Sequence, residues 1–426
     1  MSRRGNNDRR QQHLIGLLDI GTSKIAAAVV VAGADATERG DDSRTLRVAG
    51  LGVQRSAGVK AGVLTDLDAA ESAIRAAISQ AERAAGVSLD NVIISVSCGR
   101  LKSQHFAANA DVESGVVSDD DIARVLTGGR AYAERDGRML LHMNRLGFRL
   151  DGTAGIRDPR GLAARQVSAQ LHAVTADEAP LRNLLLLIER CFLSCDGLVA
   201  TPYASALAVT TEEERQFGVT CIDLGAGTSS MALFSDGQFA GADLVPVGSQ
   251  HITFDVAKAL QTPLVEAERI KTLYGTLVSA QSDEHESFSY PLSGEEEGAT
   301  YQTTKARLTE IIRPRVAQIL GLVRERLAQN GASAFAGDKV VLTGGASQLL
   351  GIAEFAANEL GKPVRIGKPS PLPGLPAGVA GPQFATLAGL ALASAQGESD
   401  SGAYRDLAGA PQGYLGRVGS WLKAGF

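Results

Sequence analysis

The sequence contains few of the features that mark membrane-spanning, secreted or disulfide-rich proteins. No stretch approaches the roughly 18 uninterrupted apolar residues of a spanning helix, and the basic N-terminus lacks the apolar segment of a signal peptide. The 426 residues include four cysteines, Cys98, Cys191, Cys195 and Cys221. Their apolar neighbours favour buried structural thiols in a reducing compartment over disulfides or a metal site, so we expect a cytoplasmic protein.

A basic excess is missing as well. The formal net charge is −5, so the chain has no overall positive field, and we expect no nucleic-acid partner. The composition, with 44% hydrophobic and 21% charged residues, is that of an ordinary globular protein. A chain of this length can form two or more domains, each with its own core.

Two stretches in different halves of the chain share one pattern. An apolar run leads into Asp, an apolar residue, Gly, and then Thr or Ser. The first stretch is Asp19-Ile20-Gly21-Thr22-Ser23-Lys24, and the second is Asp223-Leu224-Gly225-Ala226-Gly227-Thr228. Such a recurrence indicates an internal repeat.

Each stretch has the composition of a strand that ends in a phosphate-binding turn. Glycine allows backbone N–H groups to approach an anion closely, and hydroxyl donors follow at Thr22, Ser23, Thr228 and Ser229. Asp19 and Asp223 would lie at the strand ends, where carboxylates suit a hydrated Mg²⁺ between phosphates. A single strand–Asp–Gly turn is common in hairpins, but two matched copies favour a nucleotide site.

A third stretch has the same strand-to-turn character. The apolar run Lys339-Val340-Val341-Leu342 is followed by Thr343-Gly344-Gly345-Ala346-Ser347. Three such elements in this order resemble the actin/Hsp70/sugar-kinase ATPase superfamily, in which they form the first phosphate loop, the second phosphate loop and the adenosine turn. The resemblance implies an α/β fold with two RNase H-like halves around a nucleotide cleft.

The same resemblance implies ATP and Mg²⁺ as ligands. It assigns the phosphates and Mg²⁺ to the following residues: Asp19, Gly21, Thr22, Ser23, Lys24, Asp223, Gly225, Ala226, Gly227 and Thr228. Asp19 and Asp223 would hold the metal through water. Gly344, Gly345 and Ser347 would contact adenosine.

Glu268 and Lys271 form an E-x-x-K pattern between the second phosphate loop and the adenosine turn. Their spacing alone predicts a surface ion pair of small energy. The superfamily, however, uses an E-x-x-K helix at this point of the chain to reach the ribose and base. We therefore add Glu268 and Lys271 to the expected adenosine site.

The C-terminal segment has the pattern of a short amphipathic helix. Five apolar residues fall on one stripe at helical spacing: Leu415, Val418, Trp421, Leu422 and Phe426. Arg417, Ser420 and Lys423 fall on the opposite side, which is the layout of a helix lying in a membrane surface. Docking onto the protein body and disorder are the alternatives, and the glycines lower intrinsic helicity.

Taken together, the chain resembles the FtsA family of bacterial cell-division proteins. The resemblance rests on the two phosphate turns, Ala267-Glu268-Arg269-Ile270-Lys271, Arg313-Pro314-Arg315, Leu342-Thr343-Gly344-Gly345 and the terminal segment. It implies ATP-dependent actin-like filaments of the chain with itself, attachment to the cytoplasmic face of the inner membrane at the division site, and recruitment of other division proteins. It also implies binding of the FtsZ C-terminal peptide, with Arg315 at that site. Ala226 stands where the family often has Gly, and the terminal segment is less basic than usual, so polymer avidity would assist membrane binding.

The family pattern implies a division of the chain into subdomains. These are a disordered tail, 1–12; the first half (1A), 13–87 and 176–212, completed by 383–395; an inserted α+β subdomain (1C), 88–175; the second-half core (2A), 213–246 and 335–382; its upper part (2B), 247–334; a linker, 396–413; and the membrane segment, 414–426.

Local patterns give further expectations. Apolar periodicity predicts helices over 66–85, 118–132, 178–192, 306–327 and 384–393, and over 251–274 with a break at Thr262-Pro263. The pattern places Cys191 and Cys195 on one helix. The acidic stretch 281–300 and the proline- and glycine-rich stretch 363–382 are predicted loops.

Other members of the superfamily remain alternatives. A small-molecule kinase would need a catalytic base and a substrate pocket, and an Hsp70-like chaperone would need a further domain after the ATPase core. An actin-like assembly platform of a pilus or plasmid system is a closer relative. Only the inserted subdomain and the C-terminal segment argue against that alternative. No residue stands out as a catalytic base, so the catalytic residue is unknown and we expect ATP hydrolysis to be slow at most.

Overall fold

The computed structural model describes residues 13–33, 45–294, 299–329 and 337–395. In chain order the strands are β1 His13–Ile20, β2 Lys24–Gly33, β3 Thr45–Arg55, β4 Val59–Lys60, β5 Val63–Leu64, β6 Asn91–Val96, β7 Lys102–Asp111, β8 Arg138–Leu150, β9 Thr153–Ile156, β10 Gln166–Asp177, β11 Ser194–Ala200, β12 Val219–Leu224, β13 Ser229–Ser235, β14 Gln238–Val245, β15 Ser287–Tyr290, β16 Tyr301–Thr304, β17 Lys339–Thr343 and β18 Val364–Ile366. The helices are α1 Leu67–Ala85, α2 Asp119–Ala133, α3 Glu178–Arg190, α4 Thr201–Val209, α5 Glu212–Phe217, α6 Ser249–Leu260, α7 Leu264–Tyr274, α8 Lys305–Gln329, α9 Ile352–Leu360 and α10 Ala385–Ala395.

Two five-stranded sheets share one topology. The first has the strand order β3-β2-β1-β6-β11 and the second β14-β13-β12-β17-β18. In each sheet the first three strands in chain order are antiparallel neighbours, and two parallel strands follow on the other side of the first strand. The repeat seen in the sequence is therefore a repeat of whole sheets.

The central strands are apolar because both faces of each sheet are covered. Eight consecutive residues of β2 are buried, and all six residues of β12 are buried. Valine, isoleucine and alanine dominate β2, and a strand buried on both faces is expected to read as a continuous apolar run rather than an alternation. Because β2 and β12 are buried in this way, the ends of these strands, and the turns attached to them, are held in fixed positions.

A separate antiparallel sheet, in the order β7-β10-β8-β9, is inserted between β6 and α3. Helix α2 packs on this sheet, and Ile122, Val125 and Phe148 belong to their common core. Ser118 caps α2: its Oγ accepts from the Asp121 backbone N–H, and the Asp121 carboxylate accepts from the Ser118 backbone N–H. The three aspartates at residues 119–121 therefore belong to a capped helix start, where acidic side chains are favourable.

The two halves of the molecule meet along helices α4 and α10. Both helices are rich in Ala, and all of α4 except Thr201 is buried. A Cβ atom added at Gly389 of α10 would lie 1.7 Å from the Ala204 carbonyl oxygen of α4. The absence of a side chain at Gly389 therefore allows the two helix backbones to touch.

The upper part of the second half consists of α6, α7, α8 and the hairpin β15–β16, whose apolar residues form a core of their own with one face of the second sheet. Six apolar residues of α8 are buried there: Leu308, Ile312, Val316, Ile319, Leu320 and Val323. The break between α6 and α7 falls at Thr262-Pro263, as predicted. Within the described residues, no helix is both long and apolar enough to span a membrane.

Three local expectations were wrong. The stretch 281–300 is not a continuous loop, because Ser287–Tyr290 pairs with Tyr301–Thr304 and buries Phe288 and Tyr290. Val364–Ile366, expected in a loop, is an edge strand of the second sheet. Cys195 lies in β11, whereas Cys191 ends α3, so the two do not share a helix. Strands of three or four residues are too short for periodicity to reveal.

Gly389→Ala tests the backbone contact between α4 and α10. The added methyl overlaps the Ala204 carbonyl oxygen, so we expect a loss of stability of about 1–3 kcal/mol, measured as a lower thermal unfolding temperature. Gly321→Ala is the matched control, since Gly321 also lies inside a helix but its Cβ would meet nothing within 4 Å. That control should stabilise the protein by about 0.5–1 kcal/mol, and equal effects of the two changes would contradict the contact.

Candidate functional site

The two predicted phosphate turns have the same local structure. The first joins β1 to β2, and the Gly21 N–H donates to the Lys24 carbonyl at 3.0 Å. The second joins β12 to β13, and the Gly225 N–H donates to the Thr228 carbonyl at 3.0 Å. The repeat therefore extends to the hydrogen bond that closes each turn.

The turns also lie against each other. A Cβ atom added at Gly227 would lie 2.3 Å from Thr22 Oγ1 and 2.9 Å from the backbone of Ala61. Ala61, with φ +48°, occupies the tip of the small hairpin β4–β5. Parts of the chain that are distant in sequence thus converge at one point, and Gly227 makes that approach possible.

Asp19 is held at the end of β1 by a residue of the neighbouring strand. Its carboxylate is 8% exposed and accepts a hydrogen bond from Ser95 Oγ of β6 at 2.7 Å. Burial raises the pKa of Asp19, while the Lys24 ammonium and the Ser95 hydroxyl oppose that rise.

Asp223 occupies the equivalent position at the end of β12. Its carboxylate accepts hydrogen bonds from Ser205 Oγ of α4 and from Thr386 Oγ1 of α10, the latter at 3.4 Å. Burial raises the pKa of Asp223; the Ser205 hydroxyl opposes the rise, and the neighbouring charge of Asp19 adds to it. The two aspartates therefore belong to one electrostatic site.

Lys24 is the cation of this site. Its ammonium donates to the Gln383 carbonyl and lies 4.6 Å from the ring centroid of Phe384. Burial lowers the pKa of Lys24, and the charges of Asp19 and Asp223 oppose that change. The side chain thus joins the first turn to the segment that precedes α10.

The third turn packs directly on Asp223. Gly344, at φ +84°, follows β17, and a Cβ there would lie 2.2 Å from Asp223 Oδ1. Ser347 is 2% exposed, and its Oγ donates to the Gly344 carbonyl at 2.8 Å. The Ser347 hydroxyl, expected to contact adenosine, is used to shape the turn in this structure.

Glu268 and Lys271 form the ion pair that their spacing predicts, with a distance of 2.7 Å. Lys271 also donates to Thr253 Oγ1 of α6 at 2.9 Å. The start of α6 is bonded to the second turn, because the Ser249 and Gln250 N–H groups donate to the carbonyls of Gly225 and Ala226. The E-x-x-K pair is thereby linked to the second phosphate turn through α6.

Arg315 of α8 is engaged in a two-point ion pair. Its Nε and Nη2 donate to the Asp255 carboxylate of α6 at 2.6 and 2.9 Å. Its Nη1 donates to Gln318 Oε1, and its side chain is 27% exposed. The expected membrane residues, Leu415, Val418, Trp421, Leu422 and Phe426, lie outside the described residues.

The donor set of this site fits a hydrated Mg²⁺. Asp19 and Asp223 supply two carboxylates, and no cluster of three or more His, Cys, Asp or Glu side chains that could hold a metal occurs in the described ranges. Mg²⁺ usually keeps several waters and takes one or two carboxylates plus substrate phosphates. Asp19 and Asp223 would therefore orient a magnesium ion that arrives with a polyphosphate.

Sequence reasoning missed the side chains that hold the charged residues in place. Ser95, Ser205 and Thr386 bond the two aspartates, and Phe384 contacts Lys24. Each serine or threonine has an apolar residue on both sides within its strand or helix, and this isolation was the available signal. Their partners could not be read from the sequence, because the hydrogen bonds to the two aspartates join residues 18 to 163 positions apart.

Comparison with known proteins gives the family. A cell division protein FtsA from Rhizobium meliloti (strain 1021) is 37% identical over 425 residues, covering 98% of this chain and 96% of that protein. The chain belongs to the FtsA family. The FtsA of Neisseria meningitidis serogroup B (strain MC58) is 32% identical, covering 98% of this chain and all of that protein. The family model "Cell division protein FtsA" matches residues 220–389, and the model "SHS2 domain inserted in FTSA" matches residues 98–175.

Solved structures confirm the fold expected from the sequence. The PilM–PilN type IV pilus biogenesis complex contains a chain with a TM-score of 0.62 at 17% identity, covering 89% of this chain and 98% of that one. MreB5 of Spiroplasma citri, solved bound to ADP, has a TM-score of 0.52 at 12% identity, covering 93% and 99%. This member of the FtsA family is therefore an actin-like α/β protein with two similar halves and an inserted α+β subdomain.

Asp223→Asn tests the cost of the buried charge. Because the pKa of Asp223 is raised in the folded protein, its contribution to stability is complete below the unfolded value of about 3.9 and is lost as pH rises through the folded value. Asparagine does not titrate, so the free energy of unfolding of the variant should rise relative to that of the parent across that window, by at most about 1.4 kcal/mol per pH unit.

Thermal unfolding without nucleotide, between pH 4 and 8, checks this prediction. Asp236→Asn is the matched control, because Asp236 is exposed at the β13–β14 turn and Asn tolerates its positive φ. A variant difference that is flat with pH, or that runs in the opposite direction, would rule out desolvation of Asp223 as the dominant effect.

Proposed function

We propose that this FtsA-family chain binds ATP–Mg²⁺, assembles into actin-like filaments and tethers FtsZ filaments to the cytoplasmic face of the inner membrane at the division site. It would also recruit other division proteins. The observation that carries the proposal is the direct contact of two matched turns, each beside a buried aspartate. Two copies of one turn facing each other suit a ligand with several phosphates.

Nucleotide binding has support from geometry and from the fold. Two carboxylates and one ammonium converge where Gly21, Gly225 and Gly227 leave room for close backbone approach. MreB5 of Spiroplasma citri, which has a similar fold, was solved bound to ADP. In this proposal, residues 21–24 and 225–228 bind the phosphates, and Glu268, Lys271, Gly344 and Gly345 lie around adenosine, while Ser347 shapes the turn. Hydrolysis is slow at most, and its catalytic residue is unassigned.

The subdomain boundaries expected from the family are part of the proposal. The insertion, expected over 88–175, begins only after β6, because β6 pairs with β1 and β11 in the first sheet. It would serve self-association and contact with other division proteins, and 247–334 would carry the FtsZ site. The independent core of the inserted sheet and the separate core around α8 support two units of this kind.

Membrane attachment through residues 414–426 can be tested by liposome co-sedimentation with and without ATP–Mg²⁺. We expect the full chain to pellet, more strongly with ATP–Mg²⁺ because assembly multiplies a weak single-copy contact. A chain ending at residue 414 should stay in the supernatant. Within the full chain, Trp421→Glu places a charge on the apolar stripe and should abolish pelleting, whereas Ser420→Glu on the opposite side should retain it.

Each result of this experiment decides something specific. Pelleting that survives the truncation would place the anchor elsewhere on the protein. Equal losses in both glutamate variants would mean that charge, rather than the apolar stripe, governs binding. No pelleting of any form would contradict the tethering function.

Arg315→Glu tests the FtsZ site. The change removes a cation and sets a second carboxylate against Asp255, so we expect binding of an FtsZ C-terminal peptide to weaken at least tenfold, about 1.4 kcal/mol. Arg307→Glu is the control, because it makes the same charge change on the same helix at a more exposed position paired with Glu310. Fluorescence anisotropy of labelled peptide provides the measurement. If both variants bind the FtsZ peptide with equal affinity, Arg315 is not part of the FtsZ site.

A further inference from the structure

One short segment touches all three parts of the proposed nucleotide site. This connecting segment, residues 382–386, comprises a 3₁₀ turn, Pro382–Phe384, and the first two residues of α10. It comes from the C-terminal part of the described chain, far in sequence from both phosphate turns. Neither phosphate turn nor the adenosine turn includes it.

The first contact is with the cation of the site. The Lys24 ammonium donates to the Gln383 carbonyl, and the Phe384 ring lies beneath it with a centroid distance of 4.6 Å. Phe384 itself is 8% exposed and lines a small apolar cavity with Leu17 and Leu387. The ring is therefore held by the core of the first half while it presents a face to the ammonium.

The second and third contacts are with the other two turns. The Pro382 carbonyl accepts from the Gly344 N–H at 3.2 Å and from Thr343 Oγ1 at 3.3 Å, both at the adenosine turn. Thr386 Oγ1 lies within hydrogen-bond distance of Asp223 and of Ser205. Three separate stretches of chain are thus fixed relative to one another by five consecutive residues.

We infer that the connecting segment is a fourth element of the nucleotide site, in which Phe384 is a positioning residue that acts through Lys24. Burial is costly for an ammonium ion, and without a fixed partner its long side chain would be disordered or would swing onto the aspartates. The Phe384 face and the Gln383 carbonyl hold the charge at the meeting point of the two phosphate turns before a ligand arrives. The inference rests on the proposed nucleotide function.

The inference predicts a change in affinity only for nucleotides that carry the phosphates contacted by Lys24. Lys24 would meet the β- and γ-phosphates, so loss of its support should weaken ATP more than AMP. A cation–π contact of this kind corresponds to about a twofold to thirtyfold change in affinity. Phe384→Leu, which keeps an apolar side chain but removes the aromatic ring, should therefore lower the preference for ATP over AMP by that factor.

A double-mutant cycle with Lys24→Met gives the decisive measurement. Isothermal titration of ATP–Mg²⁺, ADP–Mg²⁺ and AMP is made on the full chain, on Phe384→Leu, on Lys24→Met and on the double variant. If Phe384 acts through Lys24, the Phe384 change should alter the ATP-to-AMP preference less than about twofold once Lys24 is absent. Leu387→Val, a reduction in the same cavity wall, is the packing control and should leave the preference unchanged.

The outcomes separate the inference from the function on which it rests. A parent chain that binds no ATP overturns both. A parent that binds ATP, with an equal Phe384→Leu effect in the presence and absence of Lys24, overturns the positioning role alone. Equal weakening of ATP and AMP binding by Phe384→Leu would also overturn the positioning role, because a purely structural role of Phe384 would produce it. Tighter ATP binding by Phe384→Leu would overturn it as well, since Phe384 would then hold Lys24 away from the phosphates.

Discussion

The close backbone contact of α4 and α10 is the constraint on which the rest of the site depends. Helix α4 follows the last strand of the first sheet and leads into the second half, and α10 returns from the second half to pack beside it. Small residues let the two backbones approach, as at Gly389 and Ala204. A wider separation would move Thr386 of α10 away from Ser205 and Asp223 and would part the two phosphate turns.

The site places three charged groups where water is scarce. The charges of two carboxylates and one ammonium do not cancel, and burial disfavours the charged form of each group. Such an arrangement is costly in the ligand-free protein, because desolvation of buried ions is only partly offset by their mutual attraction. A divalent cation would reverse the local sign and make the same residues favourable neighbours for phosphate oxygens. Stability and ligand binding therefore place opposite demands on Asp223.

The sequence predicted the repeated parts of this structure well because repetition is a strong signal. Asp19 and Asp223, each with a glycine two residues later, located two strand ends and their turns. The structure adds that the closing hydrogen bonds of the two turns are the same. Short pairings such as β15 with β16 were missed, since four residues carry too little pattern. The supporting residues Ser95, Ser205 and Phe384 were missed for another reason. Their roles come from partners brought near by the fold, and one sequence does not reveal long-range pairs.

The contact at Gly227 has a consequence for the symmetry of the molecule. Ser23 of the first turn and Gly227 of the second occupy corresponding positions, since each lies two residues after the glycine that closes its turn. Any side chain at the second position would collide with Thr22. A chain made of two identical copies of the first half could therefore not close its halves to the distance seen here. The present geometry therefore requires that the two copies differ at this position.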